Sequence, residues 1–123
     1  MKRLVIDVDD TICRTRRGDY DRSTPRESVL KALREYKSMG FQIILNTSRN
    51  MRTYEGNIGK INANTLPRLI RWLELHEVPY DEIHVGKPWC GHEGFYVDDK
   101  AVRPSEFASM TYEEIIGLLE KEK

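Results

Sequence analysis

Residues 4–11 read Leu-Val-Ile-Asp-Val-Asp-Asp-Thr, and this octet decides the fold. Leu4, Val5 and Ile6 form a short apolar run of the kind that fills a buried strand in a parallel sheet. The run ends in three carboxylates within four residues, Asp7, Asp9 and Asp10. Like charges this close repel one another, and burying them without a counter-charge is costly. A hard divalent cation, Mg²⁺ above all, held by oxygen ligands at the carboxyl end of the strand relieves both problems. Open α/β sheets bind their ligands at that same edge. Taken alone, the octet is read equally well as a strand followed by an acidic turn, since Asp favours turns.

The chain around it supplies more strands of the same kind. Residues 12–22 are polar and hold Arg14, Arg16, Arg17 and Arg22 around Gly18, which reads as an exposed flap. Thr24-Pro25-Arg26-Glu27 reads as a helix start, with Thr24 as the N-cap and Glu27 completing the box. Val29, Leu30, Leu33 and Tyr36 then share one helical face, and Gly40 is the natural stop. Phe41 to Leu45 is a second apolar run, so the first 45 residues make a strand–helix–strand unit with a right-handed crossover. Residues 49–64 are poor in apolar side chains, carry Gly56 and Gly59, and read as a long active-site loop. Helical spacing resumes at Leu66, Leu69, Ile70 and Leu73. Ile83-His84-Val85 is a minimal third strand and Gly94 to Val97 a fourth. A last helix starts at Thr111, boxed by Glu114, with Ile115, Leu118 and Leu119 as its apolar face. The expectation is α/β: a Rossmann-like three-layer sandwich with a mostly parallel central sheet covered on both sides.

Composition narrows the class. The chain has 123 residues, which suits a single domain over 1–123. Twenty Lys and Arg balance twenty Asp and Glu, so the formal net charge is zero. That balance argues against a nucleic-acid partner and against disorder. Two cysteines, Cys13 and Cys90, are too few for a disulfide scaffold and fit a reducing cytoplasm. The chain shows neither a basic-and-apolar leader nor an apolar stretch of membrane length, so a cytoplasmic protein with no membrane partner is expected.

Four polar clusters then fall at the carboxyl ends of the four expected strands. They are Asp7 with Asp9, Thr47 with Ser48, Lys87, and Asp98 with Asp99. Each has an ordinary reading as a turn, a cap or a surface charge. Together they suit phosphoryl transfer: carboxylates for a metal, a hydroxyl for a phosphoryl oxygen, and a lysine to offset charge. The three histidines, His76, His84 and His92, show no metal-ligand spacing. Trp72 reads as a packing residue, Trp89 and Cys90 as neighbours of Lys87 that border the site or the surface, and Arg103 as an acid-neutralising or plain surface residue.

The ordered set resembles the haloacid dehalogenase superfamily in its phosphatase branch. The matching residues are Asp7-x-Asp9-x-Thr11 after an apolar strand, Thr47 ending Ile-Ile-Leu-Asn-Thr, Lys87 in Gly86-Lys87-Pro88, and Asp98-Asp99 after Phe95-Tyr96-Val97. Within it, Thr47-Ser48-Arg49-Asn50-Met51-Arg52 and Gly86-Lys87-Pro88-Trp89 are most similar to short bacterial phosphatases of capsule or polysaccharide biosynthesis. The resemblance implies that Asp7 is the nucleophile that forms an aspartyl-phosphate. It implies that Asp9 is the general acid and base, with its backbone carbonyl on Mg²⁺. Thr47 is then the phosphoryl-binding hydroxyl, with Ser48 and Arg49 beside it. Lys87 is the charge-offsetting cation, and Asp98 or Asp99 the remaining metal ligand. The implied substrate is a phosphorylated small molecule such as a sugar or polyol phosphate. A macromolecular phosphatase and a receiver-like phospho-Asp signalling module are the alternatives. The receiver is disfavoured because Lys87 precedes the Asp98-Asp99 pair.

Thr47 lies 38 residues after Asp9 and 40 before Lys87, and a helix fills most of each interval. No room remains for a separate cap domain. Shielding of the substrate falls to the flap at 12–22, to the 49–64 loop, or to a neighbouring subunit, so a homo-oligomer stays open.

Overall fold

A computed structural model describes residues 2–16 and 18–123. In chain order it contains β1 (Arg3–Asp7), β2 (Cys13–Arg14), β3 (Thr24–Pro25), α1 (Glu27–Ser38), β4 (Gln42–Asn46), α2 (Ile58–Lys60), α3 (Leu66–Leu75), β5 (Glu82–His84), α4 (Pro104–Ser109) and α5 (Tyr112–Glu120). β1, β4 and β5 form a parallel three-stranded sheet in that order, and β2 and β3 form a small antiparallel ribbon. No separate cap domain is present among the described residues. None of their helices is long and apolar enough to cross a membrane.

The octet and the Phe41–Leu45 run do become neighbouring parallel strands. Leu4 pairs with Ile43 and Ile6 with Leu45, so these four side chains share one face. Val29, Leu30, Leu33 and Tyr36 of α1 and Leu69, Trp72 and Leu73 of α3 pack on that face in one core. Fully burying an aliphatic side chain of this size stabilises a fold by about 1.5–3 kcal/mol, so this face carries much of the fold's stability. The opposite face is barer: Val5 stands 60% exposed beside the buried Ile44. Behind α1, Phe107 of α4 stacks on Tyr36 at 5.0 Å, and Tyr36 meets Phe41 edge-on at 4.9 Å. The expected box at Thr111 is present: its hydroxyl accepts from the Glu114 N–H, and Glu114 accepts from the Thr111 N–H.

The structure corrects three expectations. Thr24 does not cap α1: Thr24 and Pro25 pair with Arg14 and Cys13, which holds the chain extended until Arg26, the true N-cap. The 49–64 segment is a loop only as far as Asn57. The Asn57 side chain accepts from the Lys60 N–H and starts α2, which runs through a wide π turn (Ile61–Thr65) into α3. That widened turn lies just before Pro67, which has no N–H to give the preceding turn. Third, residues 94–97 form no strand. They have no ladder neighbour among the described residues, and every residue from His92 to Ala101 is exposed.

Candidate active site

The carboxyl end of β1 is closed by a tight turn. The Thr11 and Ile12 N–H groups both donate to the Val8 carbonyl, and Asp10 takes a left-handed φ of 60° that Asp tolerates better than most residues. The turn aims Asp7 and Asp9 into two different settings. Asp7 accepts from the Thr11 hydroxyl at 3.1 Å and pairs with Lys87 Nζ at 3.4 Å. Burial pushes its pKa above the ordinary carboxylate value, while Lys87 and Thr11 pull it back part of the way. Lys87 also lies over the Tyr96 ring, 4.1 Å from its centroid.

Asp9 is gripped by Arg49, whose Nε and Nη2 donate to its two oxygens at 3.1 and 2.8 Å. This is the forked geometry that suits guanidinium and carboxylate. Arg49 is only 4% exposed and stacks on Tyr20 at 4.4 Å. The Thr15 hydroxyl donates to Asp9 at 2.7 Å. Its single proton being spent there, Thr15 accepts from Ser23, 2.8 Å away. The β2–β3 ribbon sets Thr15 and Ser23 opposite each other, and Trp72 anchors it by donating to the Ser23 carbonyl at 2.9 Å.

Thr47 extends the ladder one step beyond β4. Its N–H donates to the His84 carbonyl and its carbonyl accepts from the Lys87 N–H. Gly86, at a φ of 84°, makes the turn between those two contacts. The Thr47 hydroxyl, fully buried, accepts from the Arg49 N–H at 3.0 Å. Asp7, Asp9, Thr47, Arg49 and Lys87 are thus linked by direct contacts, and Ser48 lies half-buried between Thr47 and Arg49. Asp98 and Asp99 are exposed, with Asp98 accepting from the Lys100 N–H. They do not join Asp7 and Asp9: among the described residues no three metal-ligating side chains come together.

Beside Arg49 opens a cavity of about 210 Å³ lined by Tyr20, Asn50, Tyr54, Asn64, Thr65 and Arg68. It adjoins the Asp9 side of the site rather than Asp7. Of the flap arginines, Arg14 and Arg16 are exposed, Arg22 makes a surface pair with Asp19, and Arg17 lies outside the described residues. Cys13 is buried near Asp9 with its thiol pKa pushed up by that burial, and Cys90 is a second free thiol. Trp72 packs in the core. Thr15, Ser23 and Tyr20 escaped the sequence reading because only the ribbon brings them to Asp9, and a two-residue strand leaves no periodicity to detect.

No family model and no curated protein matches the chain. It is similar to a solved crystal structure of an MCSG target from Vibrio cholerae. The identity is 61%, both chains are covered in full, and the TM-score is 0.98. That structure's description states no activity.

Proposed function

We propose that the chain is a Mg²⁺-dependent phosphomonoesterase of the haloacid dehalogenase type, without a cap and with a Rossmann-like fold. One observation carries this reading: a half-buried carboxylate at the end of a parallel strand, Asp7, held between Lys87 and Thr11 with Asp9 and Thr47 close by. Asp7 attacks phosphorus and forms a carboxyl–phosphoryl bond as the bond to the leaving oxygen breaks. Asp9 gives that oxygen a proton, then takes one from the water that releases phosphate and restores Asp7. Lys87 and Thr47 offset charge on the phosphoryl oxygens.

Arg49 and Thr15 both donate to the carboxylate of Asp9, and an anionic group on the substrate offers the guanidinium a second partner. The polar cavity beside Arg49, with two Asn, a Thr and two Tyr in its wall, suits a hydroxyl-rich substrate such as a sugar or polyol phosphate.

The donor set fits Mg²⁺ in kind, since the ion takes few carboxylates and leaves its other positions to waters and phosphate. Asp7 and the Asp9 carbonyl would hold it; Asp98 and Asp99, the other expected ligands, stand apart from them within one chain. When bound, the ion neutralises phosphoryl charge and orients the group for attack. Hydrolysis of a panel of phosphorylated metabolites tests the reading. Asp7→Asn, nearly isosteric, is expected to lose at least about a thousandfold in kcat with an unchanged circular dichroism spectrum. Retained turnover in that variant overturns the assignment.

A further inference from the structure

Among the described residues the main sheet has three strands, and its carboxyl edge gathers only two carboxylates, Asp7 and Asp9. β1 pairs only with β4 among the described residues and forms an edge, although its sequence reads as a strand buried on both sides. Edge strands of this apolar kind are normally covered or charged, because they template pairing with another chain. Val5, at the middle of β1, is 60% exposed. The chain also carries an unused strand. Phe95 and Val97 are 79% and 87% exposed, in the exposed run from His92 to Ala101 that lies between β5 and the buried Phe107 of α4.

This arm is held in a definite shape. The Tyr96 hydroxyl donates to the Pro88 carbonyl at 2.7 Å, and the Tyr96 ring lies under Lys87. Gly94 sits so close to the Cys90 carbonyl that a Cβ would fall 2.2 Å from that oxygen, so no larger residue fits this turn. The Vibrio cholerae chain follows the whole of this one at a TM-score of 0.98, a value that leaves no room for a differently placed arm. The backbone of this segment is therefore placed alike in two chains that are 61% identical.

We infer that two copies of this chain exchange their arms, with residues 94–99 of each pairing in parallel with the free edge of β1 in the other. The occupant is a second copy because the free edge and the missing strand occur in the same chain. A two-fold pair satisfies both of them twice over, with one self-complementary interface. The zero formal net charge removes any long-range repulsion between copies. Parallel pairing sets Asp98 and Asp99 at the carboxyl end of the neighbouring β1, next to Asp7 of the other copy. That last step, completion of the metal-binding set in trans, rests on the phosphatase reading; the exchange of arms does not.

The exchange is read first without activity. Light scattering after size exclusion should give twice the chain mass of 14.4 kDa. The double variant Phe95→Asp/Val97→Asp, altered only at exposed positions, should run as a folded monomer. With Cys90→Ser as background, chains carrying Val5→Cys and chains carrying Val97→Cys are mixed and treated with a short bis-maleimide. Hetero-crosslinked dimer is expected, and its absence, or a wild-type monomer at sub-millimolar concentration, overturns the exchange.

Completion in trans is read by complementation. Asp7→Asn and Asp98→Asn/Asp99→Asn are each inactive alone in this scheme. Co-refolded in equal amounts, they form mixed dimers with one intact site, recovering roughly a quarter of wild-type activity by random pairing. No recovery from crosslinkable mixed dimers of an active enzyme overturns the in-trans site. A crosslinkable wild-type dimer without activity on any phosphate ester overturns the phosphatase reading and leaves the exchange standing.

Discussion

Leu4-Val5-Ile6-Asp7 and Phe95-Tyr96-Val97-Asp98 are near-equivalent as sequence, each an apolar triplet running into acid, yet they have opposite fates. The first is laddered to β4 and its Asp7 is half-buried beside Lys87. The second is unpaired, and its Asp98 is exposed and caps only its own turn at Lys100. β-Propensity describes how well a side chain fits a half-covered pleated surface, so a strand-like triplet without a neighbour has nothing to fit. The environment rather than the residue type then sets what each carboxylate can do.

The largest expected effects separate the two acids. Asp7→Asn removes the proposed nucleophile and with it at least about three orders of magnitude in kcat. It should also raise the melting temperature at neutral pH. Burial raises the folded-state pKa of Asp7 above its ordinary value of 3.8, so the ionised form is disfavoured in the fold. The stability contributed by this group is full below the unfolded pKa and is lost as pH rises through the folded one. The gain from Asn should accordingly be present near neutrality and vanish below about pH 3.8. Wild-type turnover should fall on the acid side as Asp7 takes up its proton. Asp98→Asn, at a position exposed in the single chain, should leave the melting temperature of the dilute monomer unchanged at neutral pH. Thermal melts of both variants from pH 3 to 8 decide whether the contrast holds, and equal shifts would break it.

Next in size is the contrast between the apolar residues themselves. Leu45, fully buried in β4 beneath α1 and α3, should cost about 2–5 kcal/mol on change to Ala. Val97→Ala should move the unfolding free energy of the dilute monomer by less than about 0.5 kcal/mol, as surface changes do. Urea titrations at low and high protein concentration check this. In an arm-exchanged pair the Val97 effect grows with concentration while the Leu45 effect does not.

The first two strands, the core face of α1 and the box at Thr111 were legible because each rests on local signals: apolar runs, helical spacing, or a cap with its partner three residues on. The contacts joining Asp7 to Lys87 and Thr47 to its strand end followed from placing both at carboxyl ends of parallel strands. The failures share a cause as well. Thr24 carries a sound capping signal, but two ladder pairs with the flap outweigh it. The 49–64 segment looks structureless because Gly56 and Gly59 hide the Asn57 cap. The expected fourth strand at 94–97 rests on residue types alone, and no neighbour among the described residues realises it. From the sequence Arg49 is legible only as a neighbour of Thr47, because its grip on Asp9 depends on a turn and a buried path that no spacing rule encodes.

The smallest expected effect lies in that grip. Arg49→Lys keeps the positive charge and loses the fork, so Asp9 keeps at most one of its two charged contacts and Tyr20 loses the flat face stacked on it. A single charge-assisted hydrogen bond is worth about 1.5–3 kcal/mol, and part of it is recovered by the ammonium, so kcat/KM should fall about tenfold. Arg49→Ala should fall further, because it removes the counter-charge from Asp9 and opens the floor of the polar cavity. If Arg49 also holds an anionic or hydroxyl-rich part of the substrate, the loss with a sugar phosphate should exceed the loss with a small aryl phosphate, which offers fewer groups to bind. Equal losses on both would confine Arg49 to orienting Asp9. No loss on either, from a side chain this deeply buried, would mean that Asp9 keeps its orientation through Thr15 alone, and the double variant with Thr15→Val would then show the full effect.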